Sequence, residues 1–419
     1  MARHARDPYG PDLSLWYTLA RLAAVLRPKW RLEKTAGASA GELAPGVSVV
    51  IPSRSGRALL ETCLPTIAAQ AFLQPLEILV VDNGSDDGTA GWLAAAWPDV
   101  RVIVSPKPLS FARAVNCGIA QARYSRLCLL NNDMLLAPGF FAALWQAFEI
   151  VPDLFCATAQ IHFPPGVRRE ETGKAVMAQS SPDDFPVRCD EPLPGEDLTW
   201  VLYGSGGCSL YEVARLRELG NLDEAYEPAY VEDLDLGWRA WQQGWPTVYV
   251  AGAVVEHRHR ATTSRYYTQA ELDRVLEINY LKFLARAVDS PRLFRRLWRM
   301  SLDRLHRAGR GPLLREAAGI ALSGGRLVRT RIAEEEFLAL TDGGVAVFPG
   351  TGRGVGMLTW PDLAPPPAEM LATYAAVVVV RGAPESPACR AARALAARQW
   401  PGPISPAAAP APVPPARTT

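Results

Sequence analysis

Short apolar runs alternate with segments of helical periodicity in the first third of the chain. Four runs have the length and aliphatic content of a buried strand: Val47–Ile51, Leu76–Val81, Val100–Val104 and Arg126–Leu130. Apolar residues three and four positions apart predict helices between these runs, at Arg57–Gln70, Gly88–Trp97 and Ser110–Ala122. This alternation predicts βαβ units around a mainly parallel sheet, so the predicted fold class is α/β.

Polar side chains follow two of the predicted strands at the point where each strand ends. Asp82 and Asn83 come after the second run, and Asn131 and Asp133 come after the fourth. In open α/β sheets the ligand crevice lies at this carboxyl edge, so these groups are candidates for a binding site. Structural interpretations stay open, because Asp82 also suits an Asx-turn and the second set also suits a capped turn.

A third acidic group precedes a predicted helix. Glu232, Asp233 and Asp235 stand at the start of the helical segment Leu234–Gln243. Adjacent carboxylates and partial burial raise a carboxyl pKa toward the range in which the group accepts a proton from a hydroxyl. The alternative is that all three acids only cap the helix.

Four motifs stand in a fixed order along the chain: Ser48–Pro52, Val80–Asp87, Leu129–Asp133 and Val231–Leu236. In order and spacing they resemble the family 2 nucleotide-sugar glycosyltransferases of the GT-A type, including rhamnosyltransferases, across roughly residues 46–285. The resemblance implies a GT-A-like sandwich with a central mostly parallel sheet, plus a helical C-terminal extension. It also implies inverting transfer of a sugar from a UDP- or dTDP-linked nucleoside-diphosphate sugar to a hydroxyl acceptor. A lipid-linked glycan is a candidate acceptor, in the synthesis of cell-surface polysaccharide.

The resemblance also assigns roles to individual positions. Asp233 becomes the base that deprotonates the acceptor, and Glu232 orients the acceptor or helps to hold the site. The nucleotide-binding positions are Pro52, Ser53, Arg54, Asp82, Asn83, Arg113 and Asn131. Asp133 and His257 become ligands of a divalent cation, Mg²⁺ or Mn²⁺, for which oxygen and imidazole donors are suitable. His259 is a second candidate ligand beside His257.

Other functions stay open at this stage. A nucleotidyltransferase would carry a lysine- and glycine-rich phosphate loop after the first strand, whereas Ser53–Arg57 has one glycine and no lysine. A nucleotide-sugar hydrolase would use a similar sheet. A catalytically inactive GT-A module that binds nucleotide or glycan as a scaffold is favoured by Asn131, which replaces the first acid that the family usually carries. The presence of Asp133 and Asp233 argues against it.

The chain divides into segments that differ in composition. They are an N-terminal helix and linker (1–45), the GT-A domain (46–285), an Arg-rich helical region (286–335), a small αβ segment (336–400) and a disordered Pro/Ala-rich tail (401–419). Within the GT-A domain, residues 160–200 are rich in Pro, Gly and charge and are predicted to be irregular.

Composition narrows the classes of function. The net charge of +1 gives no basis for binding nucleic acid, and the seven cysteines include no C-x-x-C pair, so neither a zinc site nor a disulfide framework is expected. No apolar run reaches the ~18–20 residues of a membrane-spanning helix. We therefore expect a cytoplasmic protein, with the inner face of the membrane as a second possibility. The Arg-, Ala- and Pro-rich composition is typical of a bacterium with a GC-rich genome.

Two basic amphipathic stretches lie outside the four motifs. Near Trp16–Trp30 and Leu293–Trp298, the side chains of Trp, Phe and Leu stand beside Arg. This pattern suits a peripheral contact with anionic lipid headgroups. Ordinary helix packing with solvated arginines is the favoured alternative at this stage.

Overall fold

The computed structural model describes residues 10–30, 43–164, 172–176, 184–192, 195–258, 265–326, 330–360, 363, 365–400 and 404–406. The helices are α1 (Gly10–Leu26), α2 (Arg57–Ala68), α3 (Thr89–Ala96), α4 (Phe111–Gln121), α5 (Phe140–Ile150), α6 (Val213–Glu218), α7 (Glu232–Gln242), α8 (Gln269–Ala287), α9 (Pro291–Arg307), α10 (Gly311–Ser323), α11 (Glu334–Leu340), α12 (Ala368–Thr373) and α13 (Pro387–Gln399). The strands are β1 (Lys29–Trp30), β2 (Ala44–Ser53), β3 (Leu76–Asn83), β4 (Arg101–Ser105), β5 (Tyr124–Leu130), β6 (Met134–Leu136), β7 (Cys156–His162), β8 (Thr172–Val176), β9 (Arg188–Asp190), β10 (Thr199–Val201), β11 (Cys208–Glu212), β12 (Thr247–His257), β13 (Gly325–Arg326), β14 (Asp342–Pro349), β15 (Val355–Trp360), β16 (Ala376–Arg381) and β17 (Ile404–Pro406).

One large sheet organises the described part of the chain. It is 13-stranded, in the order β17-β15-β16-β14-β10-β12-β7-β11-β5-β2-β3-β4, with β6 paired to β12. The block β4-β3-β2-β5 is parallel, as is the pair β7-β12, and β11 is antiparallel to both of its neighbours. The predicted α/β sandwich with a mostly parallel central sheet and C-terminal helices is confirmed, with antiparallel pairs joining its parallel blocks.

The apolar run of β2 fills the core on both faces of the sheet. Val49 and Ile51 pack into the cluster that contains Leu60 of α2, whereas Val50 packs into the cluster that contains Val115 of α4. Successive side chains of a strand point to opposite faces, which is why this central strand is apolar throughout. Helix α4 lies so close to β2 that a Cβ at Gly118 would stand 2.3 Å from Val50 Cγ1.

Parallel pairing brings the polar strand ends to one edge. Ser53 at the end of β2 is in register with Asp82 near the end of β3. Strand β12 continues past Val250 to His257, because a register shift between Val250 and Val254 lets it keep pairing with β7. The extension also pairs with β6 and delivers His257 opposite Met134.

Short strands occupy parts of the segment that was predicted to be irregular. Strands β8 and β9 pair with each other, and β10 joins the main sheet between β12 and β14. Strand β14 pairs with β10, so β14 to β17 extend the central sheet. The division of the chain into five segments stays a prediction, and most of the 401–419 tail lies outside the described residues.

The N-terminal helix packs on the C-terminal helices. Trp298 Nε1 of α9 donates to the Ala20 carbonyl at 3.1 Å, and the Arg27 guanidinium donates to the carbonyls of Ala285 and Val288 at 2.8 and 2.6 Å. Burial lowers the pKa of Arg27 to about 10. Among the described helices, none combines the length and the apolar content needed to cross a bilayer.

A buried ion-pair cluster joins α7 to the C-terminal region. Asp235 is fully buried and accepts from Arg239 Nε at 2.7 Å and from a terminal guanidinium nitrogen of Arg326 at 2.8 Å. Arg326 also pairs with Asp223. Burial lowers the pKa of Arg326 to about 10. Removing one partner of such a cluster leaves an uncompensated charge in the interior.

We expect the substitution Arg326→Met to lower the free energy of unfolding by about 3–5 kcal/mol, because Asp235 and Asp223 lose a buried cationic partner. The matched control is Arg299→Met, since Arg299 is 67% exposed and pairs with Asp303 within α9. The control should cost about 0–1 kcal/mol. Urea unfolding measures both values, and equal small losses would contradict the structural role of the cluster.

Candidate active site

A cavity of about 330 Å³ opens at the carboxyl edge of the parallel strands. Most of the residues predicted for the site line it: Pro52, Ser53, Arg54, Asn83, Asn131, Asp133, Glu232, Asp233 and His257. Asp82 and Arg113 are not among the lining residues. The sheet and the N-terminus of α7 therefore bring together side chains that lie far apart in the sequence.

Asp82 and Asn83 shape the turn after β3. Asp82 is buried, and its Oδ1 accepts from Ser85 N, three residues further on, at 3.2 Å. Asn83 accepts from Leu109 N at 2.7 Å and donates to Leu109 O at 3.0 Å, so it ties the end of β3 to the loop before α4. Gly84 has a φ of +69°, and a Cβ there would meet Pro108 N at 2.8 Å.

The side chain of Arg113 in α4 lies beside two acidic residues that do not line the cavity. Its Nε lies 3.4 Å from a Glu224 carboxylate oxygen and 3.5 Å from one of Glu227, and its side chain is half exposed. The Arg113 guanidinium is therefore paired with carboxylates of the protein itself.

Arg54 is the cation that the structure places in the cavity. Its guanidinium carbon lies 3.8 Å from the centroid of the Tyr266 ring, and its Nε is buried without a hydrogen-bond partner among the described residues. Arg265 donates to Ser55 O at 3.0 Å and holds the Tyr266 segment beside β2. Tyr266 and Tyr267 both line the cavity, and the sequence analysis missed them. The adjacent aromatic pair shortly after His257 was the only signal for them in the sequence.

Asp133 and His257 form the candidate metal-binding pair. His257 Nε2 lies 3.5 Å from Asp133 Oδ1, and both side chains are mostly buried. The backbone fixes this proximity, because Arg258 N donates to Asp133 O at 3.0 Å beside the β6–β12 pairing. His259 lies outside the described residues.

The donor set fits a divalent cation that takes its remaining ligands from phosphate and water. A carboxylate and an imidazole are both acceptable to Mn²⁺, and the carboxylate also suits Mg²⁺. Among the described residues, no group of three or more His, Cys, Asp and Glu side chains surrounds one position. Asn131 lines the same cavity, and its backbone N–H donates to Gly207 O at 2.8 Å. Asn132 instead supports the strand end, donating to Ser53 Oγ at 2.9 Å.

Glu232 and Asp233 begin α7 at the opposite wall of the cavity. Asp233 Oδ2 accepts from Gly206 N at 3.2 Å, and its Oδ1 accepts from Leu234 N at 2.8 Å. Glu232 is buried, and its Oε2 has no hydrogen-bond partner in the part of the chain that the structure describes. Burial, followed by the charge of Asp233, raises the pKa of Glu232 to about 8. Asp233 thus accepts two backbone hydrogen bonds, whereas burial and the neighbouring charge favour the neutral form of Glu232.

The loop before α7 has a strained backbone. Tyr230 and Val231 have φ values of +74° and +78°, a region that a β-branched residue rarely adopts. Asn279 of α8 is fully buried and donates to the carbonyls of Ala229 and Tyr230 at 2.9 and 3.2 Å. We infer that this amide holds the loop in the conformation that aims Glu232 and Asp233 into the cavity.

The residues that line the cavity all fall within the range of one family model. The family model described as "Glycosyltransferase like family 2" matches residues 45–271, which is more than half of the chain. The chain therefore belongs to glycosyltransferase family 2.

Individual relatives are more distant. The N-acetylglucosaminyl-diphospho-decaprenol L-rhamnosyltransferase of Mycobacterium tuberculosis is 29% identical over 217 residues, covering 46% of this chain and 69% of that protein. The O-antigen biosynthesis protein RfbC of Myxococcus xanthus is 24% identical over 226 residues, covering 52% of this chain and 18% of that protein. The crystal structure of GalNAc-T7 with UDP, GalNAc and Mn²⁺ is similar with a TM-score of 0.44 and 16% identity, covering 57% of this chain and 48% of that chain. The present chain thus spans about half the length of that solved protein.

We expect Asn279→Asp to lower the free energy of unfolding by about 1–3 kcal/mol, because a carboxylate cannot donate to the Ala229 and Tyr230 carbonyls. The matched control is Gln146→Glu, an exposed amide in α5, which should change stability by less than about 0.5 kcal/mol. Chemical denaturation provides the measurement. A loss for Asn279→Asp no larger than that of the control would contradict the proposed hold on the loop.

The raised pKa of Glu232 has a consequence for stability. Stability from this group is fully present below its ordinary pKa of 4.5, and it is lost as the pH rises through about 8. Glu232→Gln stays neutral, so its stability relative to wild type should rise as the pH is raised from 4.5 to about 8, by an amount on the order of 5 kcal/mol. Unfolding free energies measured across that range test this, with Glu218→Gln on the exposed surface of α6 as the control. A stability difference that does not change with pH would show that Glu232 has an ordinary pKa.

Proposed function

We propose that this protein is an inverting, metal-dependent glycosyltransferase that moves a sugar from a nucleoside-diphosphate sugar to a hydroxyl acceptor. The observation that carries the proposal is that Asp233 shares one cavity with the Asp133–His257 pair and the Arg54 guanidinium. A carboxylate base and a cationic site for a departing diphosphate are the two elements that such a reaction requires.

The donor is held by the sheet side of the cavity. Pro52, Ser53, Arg54, Asn83 and Asn131 surround the nucleotide, and Asp82 supports it from the turn behind. The buried Arg54 Nε is a donor for a phosphate or base oxygen, to which a guanidinium is well matched. In this scheme Arg113 exchanges its contacts with Glu224 and Glu227 for the more highly charged diphosphate.

Asp133 and His257 would hold a divalent cation, Mg²⁺ or Mn²⁺. Such an ion, when bound, neutralises charge that builds on the leaving diphosphate. The proximity of the two side chains and their burial support this assignment.

The chemistry at α7 is a single displacement. The acceptor oxygen forms a bond to the anomeric carbon while the bond from that carbon to the diphosphate oxygen breaks. Asp233 takes the hydroxyl proton. The raised pKa of Glu232 favours its neutral form, and the two backbone N–H groups that donate to Asp233 hold its carboxylate in place to act as the base. Attack from the face opposite the leaving group inverts the anomeric configuration.

We further propose that the acceptor is a lipid-linked glycan used to build cell-surface polysaccharide in a bacterium. The names of the two relatives, a diphospho-decaprenol rhamnosyltransferase and an O-antigen biosynthesis protein, support this choice. The donor would then be UDP- or dTDP-linked, and the protein would act in the cytoplasm at the inner face of the membrane.

The test measures release of nucleoside diphosphate from a panel of UDP-, dTDP- and GDP-sugars with Mn²⁺ or with EDTA. We expect release from one donor, and Asp233→Asn should reduce its rate by about 10²–10⁴-fold, because an amide cannot accept the proton. Asp99→Asn is the matched control and should leave the rate unchanged, because Asp99 is exposed and does not line the cavity.

An inactive GT-A module is the second candidate, favoured by Asn131 in place of the first metal-binding acid. That protein would bind a nucleotide but release no diphosphate from any donor, even with polyprenyl-diphosphate-linked acceptors present. Turnover that persists in Asp233→Asn would instead leave the enzyme assignment intact and remove Asp233 from the role of base.

A further inference from the structure

Four leucines of α1 lie on its exposed face. They recur at helical spacing and form one stripe, here named the leucine stripe: Leu15, Leu19, Leu22 and Leu26. Their exposure runs from 37% at Leu19 to 70% at Leu26. On the opposite side of the same helix, Leu13, Ala20, Ala23 and Ala24 are buried, and Trp16 and Tyr17 are partly buried against the core. The helix thus packs through one side and leaves a row of leucines exposed on the other, which is the pattern of a helix that lies at an apolar interface.

Arginines border the leucine stripe. A groove of about 620 Å³ between α1 and α9, here named the arginine groove, contains Arg21, Val25, Arg295, Arg296 and Arg299. Asp303 is the one acid among its lining residues, and it already accepts from the Tyr17 hydroxyl and lies 3.8 Å from Arg299. The four guanidinium groups therefore outweigh the single carboxylate, and the groove is positively charged.

We propose that the leucine stripe and the arginine groove together bind the surface of an anionic phospholipid bilayer. Helix α1 lies in the plane of the interface, its leucines enter the acyl boundary, and the arginines contact lipid phosphates. Charge complementarity selects this occupant. A second copy of the chain would bring the same positive groove against the first, and like charges at an interface oppose association.

This inference adds a surface to the proposed action at the membrane, and it rests on side chains that the sugar-transfer site does not use. Its test contains no sugar nucleotide and no acceptor, so its failure would leave the transferase proposal standing. If the transferase test failed, the proposal of a lipid-binding surface would still stand.

The experiment is flotation of the full chain with vesicles of phosphatidylcholine alone or of phosphatidylcholine and phosphatidylglycerol in equal parts. We expect binding to the anionic vesicles to be at least about tenfold tighter, and to weaken as salt is raised. Leu22→Glu with Leu26→Glu should reduce that binding about tenfold or more, as should Arg295→Gln with Arg296→Gln. Leu73→Glu is the matched control, because Leu73 is fully exposed in the loop between α2 and β3.

Circular dichroism and urea unfolding verify that each variant is folded. Equal binding to both vesicle types, no binding to either, or wild-type binding by the leucine variant would each overturn the proposal. Analytical ultracentrifugation covers the remaining occupant: a dimer that Leu22→Glu with Leu26→Glu dissociates would show that a second copy covers this face, and would also overturn it.

Discussion

The buried carboxylate of Asp235 is the constraint on which the rest of the site depends. It is fully buried and accepts hydrogen bonds from the Tyr226 hydroxyl at 2.9 Å, from Arg239 at 2.7 Å and from Arg326 at 2.8 Å. A carboxylate is costly to bury, and only this complete set of donors offsets the loss of water. Because Asp235 lies in the first turn of α7, the same contacts fix the position of Asp233, two residues earlier. One turn of α7 therefore carries both the buried Asp235 and the candidate base Asp233.

The C-terminal region completes the site from outside the family-matched range of residues 45–271. Arg326 reaches Asp235, and Asn279 holds the strained loop before α7. Glu334 secures the same helix by accepting from Trp238 Nε1 at 2.7 Å and Gln242 Nε2 at 2.8 Å, and burial raises its pKa. The helices after the GT-A core therefore have a role in positioning α7, and shortening the chain after residue 271 would remove these contacts.

The elements that could be predicted from the sequence are those that leave a contiguous pattern of residues. They include the apolar runs of β2, β3 and β5 and the polar residues at their ends, because a buried parallel strand and its carboxyl edge form one continuous stretch of sequence. Contacts between distant residues could not be predicted. Arg326 and Asp235 are 91 positions apart, and in the sequence Arg326 is one arginine among many in a basic region.

The placement of individual side chains also depended on tertiary structure. Arg113 has the residue type for a phosphate contact, but its direction depends on Glu224 and Glu227, which approach from a different segment. The positive φ of Val231 contradicts the preference of a β-branched residue, so no propensity argument could have predicted it. Tyr266 lines the cavity beside the Arg54 guanidinium, and this contact joins two residues that are far apart in the sequence.

If Asp133 and His257 hold the metal through which the cavity binds a nucleoside diphosphate, that binding must depend on the metal and on Asp133. Calorimetric titration of UDP, dTDP and GDP into wild type and Asp133→Asn, with Mn²⁺ or with EDTA, measures this dependence. We expect saturable binding of one nucleotide that requires Mn²⁺ and is lost in Asp133→Asn. Absence of binding by every nucleotide, or binding that is the same with EDTA and in the variant, would contradict this expectation.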